Sequence, residues 1–316
     1  MRYSNALQGK IKISLTSTPP SPREEAKCLR TKTLAAALVI FLIPFCTHAR
    51  TQCPPVPFEV VSILDDLRRE RGVYENVNIL CSVPVPFPFA GPPAAKVFKP
   101  LLQEQNIQYL PDHVVMEIKE GNTAGTTTVV YKVLGNGEKE DEMKEITVDL
   151  LLCTFPQRAP DFCRKLCNDK GYIDADLQTN IVTTPKGKTL SNVYAIGDAC
   201  WSMLPLPKSP HPKAGEFAYM MGLHVADQIV AKVAAGGDES ATIPPPKRIA
   251  SCVAECGIDG KGINISPDLS AILEEPSKGL PKFEFPFVDN AADEKKKWIN
   301  KYVDIFFGEG KVTPFG

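Results

Sequence analysis

Between residues 34 and 155 the hydrophobic positions alternate between two periods. Phe58 to Arg71 carries apolar residues at 60, 61, 63, 64 and 67 with charges between them, and Gly72 follows as a stop. That spacing predicts an amphipathic helix. Val77 to Val83 reads as a strand, Ala94 to Gln105 as a second helix and Ile107 to Leu110 as a short strand. Strands alternating with helices predict a doubly wound parallel sheet. Ahead of them lies an unbroken apolar run, Leu34 to Cys46. Two readings of this run stand. Leu38 to Ile43 suits a buried parallel strand, and the run also has the length of a targeting segment's apolar region. Val114 to Lys119 and Thr127 to Leu134 flank polar turns and predict an antiparallel excursion. Ile146 to Phe155 is a near-continuous apolar run that returns as a central strand.

Further along, the short apolar strand Val193 to Ile196 runs into Gly197-Asp198, and a Pro-rich loop then leads to Pro212. Lys213 to Val233 predicts the longest helix, with Gly236-Gly237 as its stop. Ile243 to Lys247 reads as a Pro-rich linker. Phe283, Phe285 and Phe287 alternate as an edge strand interrupted by Pro286, and Asp293 to Phe307 closes the chain as a helix. This gives a basic disordered leader at 1–33 and a nucleotide-binding-like half-domain at 34–189. Residues 190–235 form a returning part of a cofactor-binding domain, and 236–316 a small C-terminal α+β segment.

Composition narrows the class. The 316 residues are 43% hydrophobic and 23% charged, ordinary for a globular protein, with a formal net charge of -1. That balance disfavours a protein held to nucleic acid by neutralising phosphates. The 29 prolines punctuate many short connections, and no internal repeat is visible. Ten cysteines are too sparse for a disulfide scaffold, and none forms a C-x-x-C pair. Cys163/Cys167 and Cys252/Cys256 have i, i+4 spacing but no nearby histidines, which disfavours zinc and suits small buried thiols.

The chemistry concentrates around residue 200. Gly197 lets the backbone turn tightly at a strand end, and the Asp198 carboxylate can accept a hydrogen bond from a ligand hydroxyl. A helix opening at Lys213-Ala214-Gly215 would aim its free amides and positive dipole end at the same place. No G-x-G-x-x-G occurs anywhere in the chain, so the usual pyrophosphate cradle of a dinucleotide site is missing.

Four stretches together resemble one family. Thr51-Gln-Cys-Pro-Pro-Val-Pro-Phe-Glu59 is similar to the Cys-Pro-Pro turn of flavocytochrome c sulfide dehydrogenase flavoproteins and their sulfide:quinone oxidoreductase relatives. Cys153 to Phe162, containing Pro156, looks like that family's Pro turn beside the flavin ring. Gly171 to Asp198 and Pro212 to Ala218 resemble its Val-Tyr-Ala-Ile-Gly-Asp block and the helix start that follows. The resemblance spans residues 38 to about 260 of the chain and implies a two-dinucleotide-binding-domain, Rossmann-like flavoprotein. The Gly-rich FAD lobe that opens the family is not seen, so the resemblance describes an N-terminally truncated member.

What the resemblance implies is an FAD-dependent oxidoreductase of the pyridine nucleotide-disulfide type. FAD would be held by Pro156, Gly197, Asp198, Lys213, Ala214 and Gly215. Cys53 and Cys252 would form a redox pair taking electrons from a small sulfur donor and passing them through FAD to a quinone or cytochrome. Lys213 would stabilise negative charge on the flavin or meet the acceptor, and either His211 or Glu216 could move protons. Peripheral membrane association is compatible with this. If the leader is a targeting segment, a mitochondrial or membrane-associated location follows. Two alternatives remain open, an NAD(P)H- or ferredoxin-linked flavoprotein reductase of the same superfamily and a non-catalytic truncated remnant.

Overall fold

A computed structural model describes residues 12–14, 37–42, 55–88, 91–135, 140–154, 157–206, 208–237, 246–257, 260–277 and 279–308. The chain opens with β1 (Lys12–Ser14) and β2 (Ala37–Leu42), then α1 (Val56–Glu70), β3 (Val77–Ser82), α2 (Pro92–Glu104) and β4 (Ile107–Leu110). An antiparallel set follows, β5 (His113–Glu120), β6 (Thr127–Val133) and β7 (Glu142–Val148), before β8 (Leu150–Cys153). β2 takes the strand reading of the apolar run. It lies between β3 and β8 in a parallel sheet of order β4-β3-β2-β8.

The sheet is parallel as expected, but among the described residues helices cover one face and a second sheet the other. Ile79, Cys81 and Val83 face α1 and α2, where Phe58, Val61, Ala94, Phe98 and Leu101 cover them. Leu80 points the other way and packs with Val115, Val129, Tyr131 and Val148 of the antiparallel set. The two-residue period of a strand sends alternate side chains to opposite faces, so one face takes helices and the other a second sheet. Each such large apolar side chain contributes about 1.5–3 kcal/mol when fully buried.

Two further expectations shift. Ile146 to Phe155 is not one strand. Val148 ends β7 opposite Thr127, and Leu150 begins β8 opposite Val39, so the chain changes sheets at Asp149. Of the leader expected to be disordered, Lys12–Ser14 pair in parallel with Glu117–Lys119 of β5, and the rest lies outside the described residues.

The second half holds β9 (Ile173–Asp174), β10 (Ile181–Thr183), β11 (Thr189–Tyr194), β12 (Cys200–Trp201), β13 (Met203–Leu204), β14 (Ser209–Pro210) and α3 (Gly215–Ala234). Gly236 and Gly237 end α3 with φ of 69° and 93°, a conformation that glycine adopts at little cost. The chain then forms β15 (Cys252–Glu255), β16 (Gly262–Asp268), α4 (Ser270–Glu274), β17 (Lys282–Glu284), β18 (Phe287–Val288) and α5 (Ala291–Phe307). The expected edge strand divides at Pro286 into β17 and β18, both antiparallel to β16. This last sheet packs on the first half: Ala254, Cys256, Ile263 and Ile265 join Phe58 and Phe98 in one core. Gly257, at φ 64°, lies so close to Ser62 that a Cβ would fall 2.2 Å from its carbonyl oxygen.

Candidate functional site

The Gly-Asp turn is built from behind. β11 ends at Tyr194, earlier than the predicted strand, because Ala195 leaves the ladder to pair with Asn180. The Ala195 N–H donates to the Asn180 carbonyl at 3.0 Å, and Asn180 Nδ2 donates back to the Ala195 carbonyl at 3.1 Å. Gly197 then adopts φ 64° and donates its N–H to Met221 Sδ at 3.2 Å. A Cβ at Gly197 would lie 3.1 Å from the Ala218 Cβ, so the turn sits directly on α3.

α3 begins at Gly215, two residues later than predicted. Its N-cap, Ala214, is extended and supplies no side-chain hydrogen bond to the first amides. Lys213 stays outside the helix. Its Nζ donates to the carbonyls of Asp198 at 2.6 Å and Cys200 at 2.7 Å and stands 4.2 Å over the Tyr172 ring. Burial pulls this ammonium below the ordinary lysine range, opposed by Cys200 and Asp198. Lys213 thereby ties the turn to the residues that lead into α3.

These elements open onto a cavity of about 440 Å³, within the 300–1,000 Å³ usual for small-molecule sites. Asp198, Lys213, Ala214, Gly215 and Cys252, five of the residues named from sequence, line it together. Gly197 forms the turn that presents Asp198. Cys53 and Pro156 lie outside the described residues. Glu216, in the first turn of α3, also lines the cavity. His211 does not take part. It is buried, its Nδ1 lies 2.7 Å from the Pro212 carbonyl, and its ring meets Phe217 edge-on at 4.8 Å. Burial, then the nearby Arg248 charge, lowers its pKa to about 3, so it is neutral and ill suited to shuttle protons at neutral pH.

Of the opposite wall only Cys252 was named from the sequence. Cys252 and Val253 approach from β15, Ser251 from just before it, and Glu59 from the first turn of α1. Lys295, Trp298 and Ile299 of α5 close the side. Lys295 Nζ pairs with Glu59 and, at 2.7 Å, with Glu255. Lys301 pairs with buried Glu216 at 2.8 Å, and the other Glu216 oxygen accepts the Ser251 N–H. Burial pushes the Cys252 thiol pKa up, Glu59 and Glu216 push the same way, and Lys295 pulls it back. Cys252 entered through the family resemblance, and the pattern that predicts the last helix says nothing of where that helix docks.

FAD calls for helix amides, hydroxyl acceptors and apolar surface. Gly215 has no neighbour within 4 Å of a Cβ position, leaving room for close approach to the uncapped amides of α3. Asp198 offers an acceptor for a ribityl hydroxyl, and Val253, Trp298 and Ile299 offer apolar surface to a ring. The residues fit the ring and ribityl end of the cofactor. Among the described residues no group of three His, Cys, Asp or Glu is placed to hold a metal ion.

No protein-family model matches the sequence, and no curated protein sequence does. Solved structures do match. The sulfide:quinone oxidoreductase from the hyperthermophilic bacterium Aquifex aeolicus superposes with a TM-score of 0.63 at 17% identity, over 90% of this chain and 65% of that one. A chain of the Tetrahymena thermophila mitochondrial ATP synthase gives 0.57 at 14%, over 98% and 69%. NDH2 from Plasmodium falciparum, solved in complex with NADH, gives 0.53 at 10%, over 92% and 70%. This chain thus spans about 65% of the length of the Aquifex protein. The likeness establishes that the chain shares its fold with these solved structures.

Proposed function

We propose that the chain is an FAD-dependent oxidoreductase of the sulfide dehydrogenase or sulfide:quinone oxidoreductase type, with the flavin ring in the cavity between Asp198 and Cys252. The observation that carries this reading is the cavity itself. Residues 54 positions apart in sequence, Asp198 and Cys252, form opposite parts of one small-molecule-sized space beside an uncapped helix N-terminus.

Bound flavin would supply a two-electron acceptor, and the chain's residues do the rest. Asp198 orients the ribityl end, and the first amides of α3 favour negative charge on the ring edge that faces them. Cys252 is held as a neutral sulfur by burial and two carboxylates. Cys53, two residues before the α1 N-cap Pro55, is its proposed partner, since Glu59 of the same helix already lines the cavity. Attack by a sulfide donor on a Cys53–Cys252 disulfide would form one S–S bond to the donor and break the other, so the disulfide takes up the two electrons that the donor loses and one cysteine leaves as a thiolate. A second thiol or sulfide would carry the sulfane sulfur away, and bound FAD would supply the oxidant that restores the cysteine pair, with a quinone or cytochrome as the outward acceptor.

The test is anaerobic addition of sulfide to flavin-loaded protein. The reading expects bleaching of the flavin absorbance and its loss in Cys252→Ser. Bleaching by NADH alone, with none by sulfide, would move the chain to the nicotinamide-linked alternative. The sequence carries no G-x-G-x-x-G for the pyrophosphate. Losing those charge-assisted hydrogen bonds, at about 1.5–3 kcal/mol each, places FAD affinity near micromolar and not nanomolar.

A further inference from the structure

We infer that Arg248 is a positioning residue for the Gly197–Asp198 turn, acting through Asn180, and that it fixes this turn relative to the strand bearing Cys252. The inference rests on the reading that the turn contacts the cofactor.

Arg248 is an unusual residue to bury. It is 0% exposed, no carboxylate ion-pairs with it among the described residues, and its Nε and Nη1 are buried without partners. A guanidinium in that state is costly, and an apolar side chain of similar size would serve packing better. Its one side-chain hydrogen bond runs from Nη2 to Asn180 Oδ1 at 2.6 Å.

That bond decides which way Asn180 faces. A guanidinium can only donate, so it selects the amide oxygen and turns Nδ2 away from itself. Nδ2 then donates to the Ala195 carbonyl, while the Asn180 backbone carbonyl takes the Ala195 N–H. Both hydrogen-bonding groups of Ala195 are therefore fixed by one residue, two positions before Gly197. Asn180 is itself 0% exposed and sits at φ 59°, a left-handed conformation that asparagine tolerates better than most residues. With the amide reversed, an oxygen would face the Ala195 carbonyl and the turn would lose its anchor.

The other end of Arg248 belongs to the C-terminal sheet. Its carbonyl accepts the Leu269 N–H at 2.9 Å, and Ala250 donates to the Pro267 carbonyl at 3.0 Å. Four residues on, Cys252 enters β15. One buried side chain thus joins the strand that presents the thiol to the turn that presents the carboxylate.

The test is a double-mutant cycle on the full chain: wild type, Arg248→Met, Asn180→Ala and the double variant. Two readouts are taken. One is amide hydrogen exchange over residues 193–199, and the other is FAD affinity by fluorescence titration. Each single variant is expected to speed exchange at Ala195 and Gly197 and to weaken FAD binding about tenfold, the loss of one hydrogen bond to a charged or buried group. The double variant should be no worse than the worse single one. Arg248→Lys, which keeps a donor, should recover most of the protection. Asn180→Asp keeps the partner of Arg248 but loses the donor to Ala195, so it should behave like Asn180→Ala, and it decides the matter should Arg248→Met fail to fold. Additive effects, or wild-type exchange at 195–197 in Asn180→Asp, would overturn the relay. If no variant and no wild type binds FAD while exchange is non-additive, the relay stands and the cofactor reading falls.

Discussion

The wall of the cavity that carries Asp198 and the wall that α5 supplies are held by different forces. Around Asp198 the restraints are buried and mostly neutral. Ala195 is bonded twice to Asn180, Gly197 rests on Ala218 and Met221, and Lys213 caps two carbonyls from below. α5 has only Ala291 buried along its described length. It is kept in place by Lys295, by Lys301 and by contacts of Tyr219 on α3 with Tyr302 and Phe306, at 5.8 and 6.0 Å. Trp298 is 40% and Ile299 53% exposed, though both line the cavity. Buried hydrogen bonds of fixed geometry define a position, whereas ion pairs whose lysine reaches solvent contribute less energy and screen with salt. The Asp198 wall is therefore the more rigid side of the cavity, and the α5 wall the more yielding one.

The largest consequence falls on the first wall. Phe217, 1% exposed beneath the start of α3, packs with Leu204, Ala250, Leu269 and Ile272. Phe217→Ala should cost about 3–5 kcal/mol in denaturant unfolding, the range for emptying a buried aromatic site. Next, Asp198→Ala should leave stability nearly unchanged but weaken FAD binding by about 1.5–3 kcal/mol, roughly 10- to 150-fold, the value of a charge-assisted bond. Equal affinity in the two proteins removes Asp198 from the site.

A pH series probes the same wall more gently. His211 stays neutral in the folded protein down to about pH 3, whereas the unfolded chain takes up its proton near the ordinary value of 6.5. Its contribution is complete above the unfolded pKa and is lost as pH falls from 6.5 toward 3. The slope attributable to it is about 1.4 kcal/mol per pH unit. Unfolding free energies at pH 7 and pH 5 should show this loss in wild type and a shallower one in His211→Leu.

The α5 wall should respond least in energy and most in access. Lys295→Met and Lys301→Met should each cost about 0–1 kcal/mol. Alkylation of Cys252, followed by peptide mapping, should nevertheless speed up in either variant and in high salt. A rate indifferent to both would show that α5 is held by its aromatic contacts instead.

The same division separates what the sequence revealed from what it hid. The elements of the first half were legible because each strand and helix follows its own period, from Val77 to Leu110 and in the α3 stop at Gly236-Gly237. The Gly-Asp turn and Lys213-Ala214-Gly215 were legible because their chemistry is local. What failed was non-local. Nothing near Asn180 or Arg248 announces a partner 68 residues away. The covering of the sheet's second face by β5–β7 depends on a crossing at Asp149 that no hydrophobic run marks. Glu59, Lys295 and Trp298 join the site only because the last sheet packs on α1. Lys213 was legible as a residue of this turn, but its hydrogen bonds to the Asp198 and Cys200 carbonyls were not, since they exist only once the loop is folded.

The most direct measurement of the central claim is alkylation of Cys252 by iodoacetamide in reduced protein, with and without saturating FAD. The account predicts that FAD slows the reaction at Cys252, and that Asp198→Ala raises the FAD concentration needed for that protection at least tenfold. Protein that binds FAD yet alkylates Cys252 at the unliganded rate would place the cofactor elsewhere and contradict the assignment of this cavity.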